Sequence, residues 1–237
     1  MHIMAAGSLR GALTAILTHF PQADEHAITC EFGPAGLLRR KIEAGTYCDL
    51  FLSADKAHPL VLMQQNIAYA TLPFITNRLG ITTTTLLAQK YPNWLQLLSA
   101  PDIIIGTSTP HDDPCGDYVI QLYDKIRLNH PHLANEIQAR TRHLVGGKNS
   151  PVIPSGQLAS QWLIESHQAD LFIGYHHYQQ KIAKLPNLTT LPIPNHDNIQ
   201  AIYTMALITK KSEIFANYLL QIESQQLFTE YGFTTLQ

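Results

Sequence analysis

The sequence predicts an α/β fold with mostly parallel sheets, built in two successive halves. Three observations carry this. Short apolar segments alternate with helices of 3.6-residue period, Gly-, Ser- and Pro-rich loops stand where strands hand over to helices, and the pattern restarts after Leu79. With 237 residues, 45% of them hydrophobic and 14% charged, the chain can build an ordinary globular core.

The first half opens with a strand over His2 to Ala6. A helix follows with Ser8 at its N-cap and Leu9, Ala12, Leu13, Ile16, Leu17 and Phe20 on one face. A strand from Ala27 to Phe32 leads through Gly33-Pro34-Ala35-Gly36 into a helix from Leu37 to Ala44, which Gly45 ends. Asp49 to Ser53 is a third strand. In the second half a helix runs from Thr84 to Lys90 and a strand from Asp102 to Gly106. A further helix carries Val119, Leu122, Tyr123 and Ile126 on one face. The helix from Leu158 to Ser166 and the strand from Ala169 to Gly174 precede a Pro-rich stretch, Pro186 to Pro194. A strand from Ile202 to Ile208 and one long helix from Ser212 to Thr229 close the chain. Strands and helices in this order imply right-handed crossovers.

Charge and composition remove several functions. Sixteen Lys and Arg against eighteen Asp and Glu leave a net charge of -2, and no basic tract could follow a phosphate backbone, so nucleic acid is not an expected partner. Arg39-Arg40-Lys41 reads as the solvated face of a helix. Three cysteines without a Cys-x-x-Cys pair do not make a disulfide framework or a structural zinc site, and each reads as a small buried hydrophobe. The twelve histidines form neither His-x-x-x-His nor His-Glu-x-x-His, and His176-His177, placed on a strand, would point to opposite faces, so no metal site is expected. Ser8 lacks a Gly-x-Ser-x-Gly setting, and Gly146-Gly147-Lys148-Asn149 lacks the flanking residues of a P-loop. No enzymatic role is expected. No run is long and apolar enough to span a bilayer, and no leader is read at the N-terminus.

Four loops share one design, a strand end followed by small residues and a helix start: Ala6-Gly7-Ser8, Gly33 to Gly36, Asp113 to Tyr118, and Pro154-Ser155-Gly156-Gln157. Helix starts present free N–H groups and a positive dipole end, which suit an anion, and in open α/β sheets such loops gather at the carboxyl edge of the strands. Taken singly, each loop also fits ordinary helix capping.

The motifs fall in a recognisable order. Ala5-Ala6-Gly7-Ser8-Leu9, Phe32-Gly33 with Gly36, Leu38 and Ile42-Glu43-Ala44-Gly45, and Asp49-Leu50-Phe51-Leu52-Ser53-Ala54-Asp55 come first. Pro114-Cys115-Gly116-Asp117-Tyr118, Ala169 to Tyr175 and Phe228-Thr229-Glu230-Tyr231-Gly232-Phe233 follow. Together they resemble the molybdate- and tungstate-binding proteins of ABC importers over nearly the whole chain. The resemblance implies a two-lobed type II periplasmic binding protein fold, each lobe a mostly parallel sheet flanked by helices, with the ligand cleft between the lobes. Lobe 1 would comprise 1–78 plus 197–237 and lobe 2 79–196, joined by crossover strands near 77–81 and 194–200.

The resemblance also implies the ligand contacts: the Ser8 hydroxyl, the N–H groups of Cys115 and Gln157, and the Tyr175 phenol, with Gln157 eighteen positions before Tyr175 as the motif requires. Further contacts would come from Gly7, Ala35, Arg78, Thr107, Ser108 and Gly116. For Arg78 a salt bridge across the lobes and a ligand contact both remain open. One contact does not carry over, because Pro34-Ala35 stands where the family has a second ligand Ser, and Pro34 offers no N–H. The implied function is capture of a tetrahedral oxyanion, molybdate or tungstate, without a further cofactor, by a monomer that delivers it to a membrane permease. The alternatives are another small anion, such as a phosphate or carboxylate compound, or a cytoplasmic sensor. The implied location is periplasmic or extracytoplasmic with the leader removed, the cytoplasm being the alternative.

Overall fold

The computed structural model describes residues 1–21 and 27–236. It divides the chain into two compact units: Met1–Asn77 with Ala201–Gln237, and Arg78–Gln200. Among the described residues, no helix is long and apolar enough to cross a membrane.

Unit 1 begins with β1 (His2–Ala6), a 3-10 turn at Gly7–Leu9 and α1 (Arg10–His19). β2 (Thr29–Gly33), α2 (Ala35–Glu43), β3 (Leu50–Ser53) and α3 (Ala57–Gln64) follow. β1 pairs in parallel with both β2 and β3. The carboxyl ends of three strands therefore lie on one edge. β4 (Ala70–Thr84) is a single fifteen-residue strand that begins in unit 1 and ends in unit 2.

Unit 2 continues with α4 (Thr85–Lys90), α5 (Trp94–Ser99), β5 (Ile105–Ser108), α6 (Pro114–Asn129), α7 (Pro131–Arg140) and β6 (Thr141–Val145). It then runs through α8 (Ala159–Glu165), β7 (Leu171–Tyr175), α9 (Gln179–Ile182) and β8 (Leu188–Pro192). β5 pairs in parallel with β6 and β7, and β4 pairs antiparallel with β7 and β8, giving the order β8-β4-β7-β5-β6. The chain returns to unit 1 as β9 (Gln200–Leu207), antiparallel to β3, and ends in α10 (Glu213–Leu219) and α11 (Ile222–Glu230).

Each unit has its own core. In unit 1 Ile3, Met4, Leu13, Ile16 and Phe51 are fully buried, and an aromatic chain links Phe74, Tyr203, Phe228 and Phe233 at centroid distances of 5.4 to 6.4 Å. Such edge-to-face contacts add to the area that the rings bury. In unit 2 Leu79, Ile81, Ile105, Leu122, Tyr123, Leu171 and Ile173 form the centre.

Several elements differ from the sequence reading. The β5 strand starts at Ile105 rather than Asp102, because Pro101-Asp102 forms a turn. The long closing helix is two helices broken at Leu220-Gln221. Leu219 and Phe228 are both fully buried. Along one helix they would stand about two and a half turns apart, on opposite faces, and the break resets the phase so that both reach the core. His176 and His177 do not lie on a strand but in the 3-10 turn His176–Tyr178 after β7.

Candidate functional site

The unit 1 edge brings two of the four small-residue loops together. β1 and β2 end side by side in register, Ala6 opposite Gly33. A methyl group added at Gly7 would stand 4.0 Å from the Gly33 carbonyl oxygen. Neither following helix start has a side-chain cap: the 3-10 turn is preceded by Ala6 and α2 by Pro34. Pro34 has no side-chain acceptor and fixes its own φ near -60°, so α2 begins directly with the buried Ala35 and Gly36. Their N–H groups lie in the first turn, which has no intrahelical acceptor.

Ser8 is not an N-cap. Its hydroxyl shares a 2.9 Å hydrogen bond with the Tyr203 hydroxyl from β9. Tyr203 is fully buried and packs edge-on against Phe74 and Phe233. The C-terminal Phe228-to-Phe233 motif thus orients Ser8 through Tyr203. Sequence reasoning missed Tyr203, since 195 positions separate it from Ser8 and no local pattern marks the pair. It also missed Arg10, whose guanidinium stacks 4.5 Å over the Phe32 ring and brings a positive charge to the β1–β2 edge.

Unit 2 holds the other predicted residues, and here the local chemistry departs from the reading. β5 delivers the buried Thr107 and Ser108 to the start of α6. Thr107 Oγ1 donates to the Ile173 carbonyl at 3.5 Å. Asp113 caps α6 and its carboxylate accepts the Cys115 N–H at 3.0 Å, so the donor assigned to the ligand is engaged within the helix start. Its backbone carbonyl takes the Gly116 N–H at 2.9 Å. The Cys115 side chain is buried, and burial, followed by the Asp113 charge, pushes its thiol well above the ordinary range. It packs in the interior as a protonated thiol.

Gly116 is required by close approach. A Cβ there would stand 2.6 Å from the Ser108 carbonyl oxygen and from the Pro110 nitrogen. Gly146 is required by both a φ of +76° and the Asp113 carboxylate, 2.7 Å from where its Cβ would be.

Gln157 is exposed and lies before α8, not at its start. Its N–H closes a turn on the Pro154 carbonyl at 3.2 Å, with Gly156 at φ +84° in the third position. This loop also lacks the strand-to-helix design read for it, since residues 146–158 separate β6 from α8. Tyr175 ends β7, almost fully buried, opposite Leu79 of β4. Arg78 donates to Asn195 Oδ1 at 2.7 Å and pairs with His176 Nε2 at 3.0 Å, both within unit 2. Burial, followed by the Arg78 charge, holds the His176 imidazole below its usual range, so it is the neutral acceptor of that bond. Among the described residues no three His, Cys, Asp or Glu side chains are grouped to hold a metal ion, and Cys30, Cys48 and Cys115 are free thiols.

The chain matches the family model for bacterial extracellular solute-binding proteins over residues 1–234. It is 37% identical over 235 residues to a protein of Pasteurella multocida, covering 98% of each chain. It is 26% identical over 247 residues to the molybdate-binding protein ModA of Escherichia coli, covering 98% of this chain and 88% of that one. Among solved structures it superposes on the periplasmic molybdate-binding protein of Azotobacter vinelandii with a TM-score of 0.77 at 19% identity, covering 100% of both chains. It superposes on the sulfate-binding protein SubI of Mycobacterium tuberculosis with a TM-score of 0.80 at 14% identity, covering 100% of this chain and 86% of that one.

Proposed function

Since this chain belongs to the bacterial extracellular solute-binding protein family, we propose that it is the capture component of an ABC importer. Its cargo in this reading is a small tetrahedral oxyanion, molybdate or tungstate first. The observation that carries the reading is the pair of adjacent helix starts in unit 1 that no side chain caps, with the Ser8 hydroxyl beside them and Arg10 on the same edge. Backbone N–H groups at two helix starts, a hydroxyl and a nearby guanidinium make a donor set with no competing carboxylate acceptor at either cap. That is what an oxyanion needs, and the helix dipoles favour its charge. The likeness to the molybdate-binding protein of Escherichia coli supports molybdate, and that to the sulfate-binding protein of Mycobacterium tuberculosis supports a tetrahedral anion in general.

Tyr175 is the unit 2 donor in this reading, with Cys115 and Gln157 removed from the set because their N–H groups are bonded locally. The loss of a family hydroxyl at Pro34-Ala35 is offset by the backbone donors of the uncapped α2 start. Delivery is to a membrane permease, and the place of action is outside the cytoplasm.

A second reading has its own observation. Asp113 puts a carboxylate on the loop that the family motif assigns to the ligand. A carboxylate favours a ligand that carries its own proton, such as hydrogen phosphate or a phosphate ester, over molybdate, which is unprotonated at neutral pH. Calorimetric titration with molybdate, tungstate, sulfate and phosphate decides between them. Tight binding of the first two supports the leading reading and preference for phosphate supports the second. Silence toward all four removes both.

A further inference from the structure

Asn198 makes every hydrogen bond a carboxamide can make. Its Oδ1 accepts the N–H groups of Leu79 at 3.0 Å and Ile199 at 2.8 Å, and its Nδ2 donates to the carbonyls of Leu79 at 2.9 Å and Ile193 at 3.2 Å. The residue is buried. Leu79 lies one residue past the end of the β8 pairing, which closes at Gly80 opposite Pro192. Both main-chain groups of Leu79 go to the Asn198 side chain, so the carboxamide acts as a detached peptide group that extends the β8 side of the ladder by one residue. Leu79 is then a non-hydrogen-bonded partner of Tyr175 across β4 and β7, the arrangement that brings side chains closest.

The same short segment is fastened at two further points. Arg78 Nη1 donates to Asn195 at 2.7 Å, and Lys125 Nζ, from α6, donates to the Asn198 carbonyl at 2.7 Å and the His196 carbonyl at 3.4 Å. The chain enters unit 2 at Arg78 and leaves it at Gln200. The outgoing and returning connections are therefore joined to each other within one or two residues of where each crosses the unit boundary.

We infer that Asn198 is a positioning residue for solute binding: its carboxamide fastens the two connections together at the edge of unit 2 and holds Leu79, the cross-strand neighbour of Tyr175, in register. This rests on the solute-binding reading above. The Tyr175 phenol, at the end of β7, thereby keeps one position within unit 2.

The test uses Asn198→Ala and Asn198→Asp in the full chain, read by amide hydrogen exchange without ligand and by titration with molybdate. In Asn198→Ala the Leu79 and Ile199 amides exchange about tenfold faster, while those of Ile105 and Ile173 keep their protection. Molybdate affinity falls about five- to tenfold. Asn198→Asp retains the acceptor for both amides but turns a carboxylate oxygen on the Leu79 and Ile193 carbonyls, so Leu79 and Ile199 keep more protection than in Asn198→Ala without regaining that of wild type, and part of the affinity returns. Unchanged exchange at Leu79 and Ile199 in folded Asn198→Ala overturns the fastening. Faster exchange with unchanged affinity overturns the positioning role. If Asn198→Ala does not fold, Asn198→Ser, whose side chain is too short to hold both strands, carries the test, and unchanged Leu79 and Ile199 exchange in it overturns the fastening. A wild-type chain silent to molybdate, tungstate, sulfate and phosphate removes the cargo reading, and with it any role in binding them, while the Leu79 and Ile199 exchange still decides the fastening.

Discussion

Replacing Gly116 by Ala tests whether the α6 start is held by backbone packing rather than by its cap alone. The new methyl would meet the Ser108 carbonyl oxygen at 2.6 Å, the Pro110 nitrogen at 2.6 Å and the Thr109 carbonyl carbon at 2.7 Å. All three are main-chain atoms, so no rotamer change relieves them. Overpacking of this kind costs about 1–3 kcal/mol, and the absence of a yielding side chain puts this site at the upper end. Alanine's better helix propensity returns about 1 kcal/mol. The net expectation is a loss of about 2 kcal/mol, which in a chain of this size lowers the apparent Tm by about 4–8 °C. Circular dichroism melting measures it, with Gly7→Ala as the comparison, because the atom nearest a methyl there is a carbonyl oxygen at 4.0 Å and its Tm should stay near wild type. A Gly116→Ala protein as stable as wild type would refute the argument that α6 is seated by backbone contact on the Ser108–Pro110 loop.

Three further outcomes are expected. Asp49 is buried and accepts from Thr209, Tyr47 and the His2 N–H; burial raises its pKa, but these bonds outweigh it and hold the carboxyl below its ordinary 3.8. Its contribution to stability is therefore complete above about pH 4 and is lost as pH falls toward the lower folded pKa, so Asp49→Asn should lower urea stability at pH 7 by about 1–3 kcal/mol and flatten its acid dependence. Ser8→Ala removes the bond to Tyr203 and the candidate ligand hydroxyl, with about 1 kcal/mol lost in urea unfolding and about tenfold lost in molybdate affinity by calorimetry. Tyr175→Phe should weaken oxyanion binding about tenfold in the same titration, and an unchanged affinity would take Tyr175 out of the site.

Most of the elements of unit 1 were legible because their signals are local. The period of Leu9 to Phe20 and the Gly45 stop, which adopts φ +90°, each depend on residues within a turn or two. The local bonds of the two N–H groups assigned to the ligand, those of Cys115 and Gln157, were legible too, by the same local rules. Asp113-Pro114 is an N-cap followed by proline at the first helical position, and its carboxylate takes the Cys115 N–H as a cap does. Pro154 to Gln157 with glycine third spells a turn that closes on the Gln157 N–H. In both places the residues themselves dictate a local partner that the family pattern does not reveal. Tyr203, Asn198 and the break between α10 and α11 were not legible, because each answers to tertiary packing: a partner 195 or 119 positions away, or a core reached from two phases.

The two units therefore treat the same structural feature in opposite ways. In unit 2 the start of α6 is completed internally by Asp113, and what remains is a stable, negatively charged loop. In unit 1 the starts of α2 and of the turn after β1 lack the side-chain cap, which elsewhere is worth about 1 kcal/mol each. An empty chain forgoes that stabilisation twice on one edge. Pro34 makes the omission specific: it sets the entry angle of the helix while supplying neither a side-chain acceptor nor an N–H, so the buried amides after it stay available. A serine there would bring one hydroxyl that can donate to a ligand or turn back and cap the helix. Proline removes the second choice, and the substitution that first looks like a lost contact leaves the backbone itself as the candidate anion donor.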